Sequence, residues 1–126
     1  MGQTAHSKTS QAVVLDPAAL DQLRALQRPG RPNLVERVLG LFRTDGPQRL
    51  ASLRSASAEQ DWERLRREAH TLKSSAANIG AQRLREACGQ VEADAKEGRY
   101  AEAVAGLEPI ERCFAEVLET LASEEA

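Results

Sequence analysis

The chain has 126 residues, room for one hydrophobic core and one site. Its 15 leucines and 21 alanines far outweigh its few aromatic residues and recur at helical spacing, so the sequence reads as all-α. A net charge of −2 with both signs interspersed excludes a broad electrostatic footprint for nucleic acid or anionic lipid, and no apolar run approaches the ~20 residues that span a bilayer.

Residues 1–12, MGQTAHSKTSQA, are polar and aperiodic and cannot bury enough surface to offset the entropy of ordering. They read as a linker or a remnant of expression, without the apolar core of a signal peptide, and any further domain is expected to join here. A single domain is expected over 13–124, in a cytoplasmic setting.

Asp16-Pro17 supplies an N-cap and a proline at the first helical position, and Leu20, Leu23 and Leu26 form a short apolar stripe that stops by Pro29-Gly30. A second helix is expected from near Pro32-Asn33. It carries Leu34, Val35, Val38, Leu41 and Phe42 on one side, with Leu50 and Leu53 beyond a kink or brief break at Gly46-Pro47. Asp61 caps the third helix, where Trp62, Leu65, Ala69, Leu72, Ala76 and Ile79 fall at spacings of three and four before Gly80. Leu84, Ala87, Cys88, Val91 and Ala95 mark the fourth, ending at Gly98. Val104, Leu107, Ile110, Phe114, Val117, Leu118 and Leu121 mark the last, with a bend expected at Pro109.

Four amphipathic helices joined by short loops predict an antiparallel four-helix bundle, with the short N-terminal helix as a lid. Cys88 and Cys113 form no CxxC or Cys/His cluster, so they read as small core-flanking thiols rather than a disulfide framework or zinc site.

The chain has two histidines, His6 in the polar tail and His70 in mid-helix. On a wheel with Leu65 at zero, Ala69, Leu72, Ala76 and Ile79 cluster within about 60°, whereas His70 lies at roughly 140°, between Ala77 and Ser74. The ring therefore points away from the core. Ser74 at i+4 and Ala77 at i+7 leave it above a low surface that a partner's backbone can approach, where a merely solvated face would carry long Glu, Lys or Gln side chains.

Lys73 at i+3 is a mildly unfavourable neighbour for an imidazolium but a favourable counter-charge for a phosphorylated ring. A histidine nucleophile also needs its tautomer fixed, which a carboxylate does well. Glu92, at the edge of the fourth helix's core stripe, is a candidate, and an ordinary edge-of-core salt bridge is the alternative reading for it.

With these residues in view, the stretch AHTLKSSAANIGAQRLREACGQVE, Ala69 to Glu92, resembles the histidine-containing phosphotransfer (HPt) domains of bacterial multistep phosphorelays. The family pattern AH-x-LK-[GS]-[SA]-A-x-x-[LIV]-GA-x-x-L-x-x-x-C-x-x-[LIV]-E is met at nearly every defined position. Upstream, RVLGLF and DWERLRREAH look like the family's second helix and its approach to the histidine, so the resemblance spans about residues 15 to 122.

The resemblance implies that His70 is the phosphoacceptor, Lys73 stabilises the phosphoryl group, Ser74 is the small residue that admits a receiver domain, and Glu92 contacts the ring. Many relatives carry glycine where this chain has Ser74, and serine is a common variant. It further implies a monomeric phosphocarrier that takes a phosphoryl group from a receiver phosphoaspartate and passes it to another receiver. No cofactor is expected in this chain; Mg²⁺ is expected in the receiver. The chain reads as the C-terminal module of a hybrid sensor kinase, whose parent can be membrane-anchored, or as a free-standing carrier.

No GxxxxGK[ST] loop is present to cradle ATP, so the chain reads as a carrier rather than an enzyme with its own nucleotide site. The alternative from another class is a non-catalytic helical adaptor that never carries phosphate. A ferritin-like metal bundle is excluded by Arg67 at i−3 from His70, where a Glu-x-x-His motif needs glutamate.

Overall fold

The computed structural model describes residues 14–30 and 33–125, so the linker expected at 1–12 lies outside the described residues. The helices are α1 (Pro17–Ala25), α2 (Leu34–Ala58), α3 (Trp62–Asn78), α4 (Gln82–Lys96), α5 (Tyr100–Ala105) and α6 (Leu107–Glu125), and the described residues contain no strand. Helix α2 packs on α3, α3 on α4, α4 on α6, and α6 back on α2, closing a four-helix bundle. Short turns join α2 to α3 and α3 to α4, the short helix α5 carries the chain from α4 to α6, and successive members alternate in direction.

The caps form where the polar residues stand. Asp16 Oδ1 accepts from the Ala18 amide at 3.0 Å, Asn33 Oδ1 from Glu36 at 3.1 Å, and Asp61 Oδ1 from Arg64 at 3.2 Å, each satisfying a donor the first helical turn leaves open. Gly80 ends α3 in the left-handed region at φ 74°, and its carbonyl accepts from the Asp16 amide at 2.7 Å. A Cβ there would also lie 2.7 Å from the Asp16 carbonyl oxygen. Gln82 adds a 3.2 Å bond to Asp16 Oδ2. Thus the entry to α1 is pinned to the α3–α4 turn, and α1 lies across α2 and α3.

Leu53, Leu65, Leu72, Ile79, Leu84, Val91, Leu107, Ile110, Val117 and Leu121 fill the core, each essentially inaccessible. Fully burying each such side chain contributes about 1.5–3 kcal/mol, which makes the bundle's inner faces its main source of stability. Both thiols are buried and unpaired, and desolvation pushes Cys88 up to about 12, leaving it an inert core residue.

Four local expectations are corrected. Helix α2 does not break at Gly46-Pro47 but runs unbroken across it: Pro47 lies on the exposed side, and buried Gly46 seats against Phe114, itself stacked on Phe42 with ring centroids 4.9 Å apart. The last helical stretch divides at Gly106, pressed against Val91, instead of bending at Pro109; Pro109 sits in the first turn of α6, where its missing N–H would have had no helical partner. Leu41 is 60% exposed because it lies roughly 200° around α2 from buried Leu39. Leu26 is 66% exposed because α1 ends at Ala25, before the stripe reaches it.

The two glycines of α2 predict opposite mutational signs. A Cβ at Gly40 meets nothing within 4 Å, so Gly40→Ala should stabilise by about 0.5–1 kcal/mol through helix propensity. A Cβ at Gly46 would lie 2.3 Å from two ring atoms of Phe114, so overpacking of about 1–3 kcal/mol should outweigh that gain in Gly46→Ala. Urea unfolding of the two variants checks the pair of signs.

Candidate functional site

His70 stands in the middle of α3, its side chain 56% exposed while Ala69 and Leu72 on either side are buried in the core. Its Nδ1 lies 2.7 Å from Glu92 Oε2 on α4. The other oxygen of the same carboxylate, Oε1, accepts from the Lys73 ammonium, also at 2.7 Å. Glu92 is 17% exposed and Lys73 34%, so the carboxylate lies inside the cleft between α3 and α4 with the two nitrogen groups over it.

Burial works to raise the Glu92 carboxyl, but the hydrogen bonds and charges of Lys73 and His70 prevail and hold it below the usual carboxylate range. Glu92 is therefore ionised at neutral pH and can only accept. Nδ1 must then carry a proton, so in the neutral ring the lone pair is the one on Nε2, the nitrogen away from Glu92. Because the folded value is lowered, this contribution to stability is present above the unfolded carboxylate pKa and is lost as pH falls through the folded one.

Ser74 and Ala77 are exposed on the turns that follow the histidine, as the wheel requires, so the surface beside the ring is low. Arg66, one turn before the ring, is engaged in a salt bridge with Glu63. Beyond Ser74 the same side of α3 runs into a groove of about 300 Å³ against α2, lined by Val38, Leu41, Phe42, Ser75 and Asn78. Among the described residues no three metal-binding side chains converge, and no helix is long and apolar enough to cross a membrane.

The structure thus brings His70, Lys73 and Glu92 into one cluster and sets Ser74 beside it. One participant escapes the sequence reading. Gly89, one turn before Glu92, lies beneath Lys73, and a Cβ there would sit 3.6 Å from Lys73 Cδ. The signal available is an isolated glycine inside an otherwise good helix, which usually has a packing reason.

The Hpt domain family matches residues 37–124, and the chain belongs to that family. Among solved structures, it is similar to histidine-containing phosphotransfer protein B (HptB) from Pseudomonas aeruginosa PAO1, at 32% identity over 88% of this chain and 93% of that one, with a TM-score of 0.79. Two plant proteins share the fold at 22% identity: MtHPt2 from Medicago truncatula, covering 96% of this chain and 83% of that one with a TM-score of 0.77, and ZmHP2 from maize, covering 96% and 89% with a TM-score of 0.79. No curated protein sequence matches the chain. The protein is a histidine phosphotransfer intermediate of a phosphorelay, in the role of a phosphocarrier.

Proposed function

We propose that His70 is the residue that carries the phosphoryl group, taking it from a receiver-domain phosphoaspartate and returning it to the aspartate of another receiver. The observation that carries this reading is the ring's polarisation: Nδ1 tied to an ionised Glu92 at 2.7 Å on the inner side, Nε2 directed outward beside Ser74 and Ala77. Nε2 attacks phosphorus in line as the bond from phosphorus to the aspartyl oxygen breaks, and the aspartate leaves as a carboxylate. The ring becomes a cation whose Nδ1–H still donates to Glu92. In the reverse direction a receiver carboxylate attacks and the N–P bond breaks.

In this reading Lys73 supplies positive charge to the phosphoryl oxygens, Ser74 leaves room for the receiver backbone, and Glu92 orients the ring. A Mg²⁺ ion held by the receiver would supply further positive charge to the phosphoryl oxygens. Docking uses the faces around His70, Ser74 and Ala77, with an apolar contribution from Leu26 at the end of α1, which is 66% exposed. The domain acts as a cytoplasmic monomer without an ATP site of its own, as a module of a bacterial hybrid sensor kinase or as a free-standing carrier.

The test is a transfer profile. A panel of isolated receiver domains, each loaded from radiolabelled acetyl phosphate, is mixed with this protein. Label should move to it from at least one receiver within minutes and be acid-labile and alkali-stable, as an N–P bond is. Binding of receivers with no transfer from any of them would instead establish an adaptor.

A further inference from the structure

One carboxylate here serves two cations. Glu92 Oε1 holds the Lys73 ammonium and Oε2 faces the ring's Nδ1, both at 2.7 Å. The stem of Lys73 passes over Gly89 of α4 on its way to that carboxylate. The ammonium is thereby drawn onto the inner, Nδ1 side of the ring. The phosphoryl group forms on Nε2, the opposite nitrogen.

From this geometry, and resting on the reading of His70 as phosphoacceptor, we propose that loading exchanges ion-pair partners: Glu92 is a positioning residue that holds Lys73 before loading and hands it to the phosphoryl oxygens afterwards. In the resting state the ring is neutral and Glu92 pairs with Lys73. Attack by Nε2 makes the ring a cation, still protonated at Nδ1, and places a doubly charged phosphoryl group outside it. Glu92 then pairs with the ring cation, and Lys73, on its flexible four-carbon stem, is free to follow the phosphoryl group. Each charge has a counter-charge in both states, and the exchange needs no reactant beyond the phosphodonor.

The consequence is that the charge of Glu92 acts on both sides of the transfer equilibrium. Before loading the carboxylate stabilises the Lys73 ammonium, and after loading it stabilises the ring cation. A neutral amide of the same shape accepts the Nδ1 hydrogen bond but does neither. With Lys73 already glutamine, Glu92→Gln should therefore shift the equilibrium with a phosphorylated receiver away from this protein by about tenfold, the scale of one partly exposed charge interaction. With Lys73 present the shift should be smaller, because the resting pair is lost as well, a coupling that a purely structural role for Glu92 does not produce.

The experiment measures the partition of label at equilibrium between one receiver and the wild type, Glu92→Gln, Lys73→Gln and the double variant. In parallel, ¹⁵N NMR of the unmutated protein follows the Lys73 ammonium before and after loading with phosphoramidate, and its signal should move on loading. Normal labelling of His70 with the same effect of Glu92→Gln on the partition in both Lys73 backgrounds, or a Lys73 signal indifferent to loading, overturns the exchange alone. Absence of label on His70 in the wild type overturns the phosphoacceptor reading and the exchange together.

Discussion

His70→Gln should reduce labelling from a phosphorylated receiver to background while leaving helicity and unfolding midpoint close to those of the wild type. Glutamine supplies no nucleophile, because its amide nitrogen lone pair is delocalised into the carbonyl. Its N–H groups can still donate to Glu92, so the cleft between α3 and α4 keeps a bond to the buried carboxylate. The side chain replaced is more than half exposed, and substitutions at such positions usually change stability by no more than about 0.5 kcal/mol. Loss of label with an intact fold therefore isolates the chemistry. Undiminished acid-labile label on this variant would move the phosphoacceptor elsewhere, and His6, the other histidine, would be the first residue to replace.

Ser74→Arg tests access rather than chemistry. Arginine is at least as good a helix former as serine, and Ser74 is exposed, so circular dichroism and urea unfolding should be unchanged. The long side chain nevertheless stands one turn from the ring on the surface where a receiver must settle. Receiver affinity should fall by about tenfold or more, a loss of at least ~1.4 kcal/mol measurable by titration calorimetry, while Ser74→Ala and Ser74→Gly bind as the wild type does. Tight binding by Ser74→Arg would place the docking surface elsewhere on the molecule.

Local signals in the sequence are strong around the site. Asp61 and Gly80 bracket α3, and inside that bracket the 3.6-residue period alone puts Leu65, Ala69, Leu72 and Ala76 inward and His70, Ser74 and Ala77 outward, as the structure has them. Glu92 is different. Its wheel position allows either a ring contact or a plain salt bridge, and the pairing of α3 with α4 makes both at once, Nδ1 on one oxygen and Lys73 on the other. The dual role depends on the depth of the carboxylate between two helices, which a single helix wheel does not contain.

The misread positions share that cause. Gly46-Pro47 is punctuation by local rules, yet Phe114, far along the chain, uses the gap at Gly46 as a seat, so the helix continues through it. Gly106 interrupts the last helical stretch because Val91 of α4 lies against it, again a contact between distant residues. Leu41 sits among apolar neighbours in the sequence but faces the groove beside α3, where its hydrophobicity is available to a partner rather than to the core.

The pairing of His70 with Glu92, 22 positions apart on helices joined by one tight turn, makes the proposed phosphoryl-handling centre the property of a single hairpin. Contacts so close in sequence close early and cheaply in entropy, so the centre can assemble before the long-range packing of α6 against α2 is complete. If His70 carries the phosphoryl group, the residues that hold it travel together with α3, its turn and α4. Grafting that hairpin's outward residues onto another bundle of the same geometry should carry phosphoryl acceptance with it.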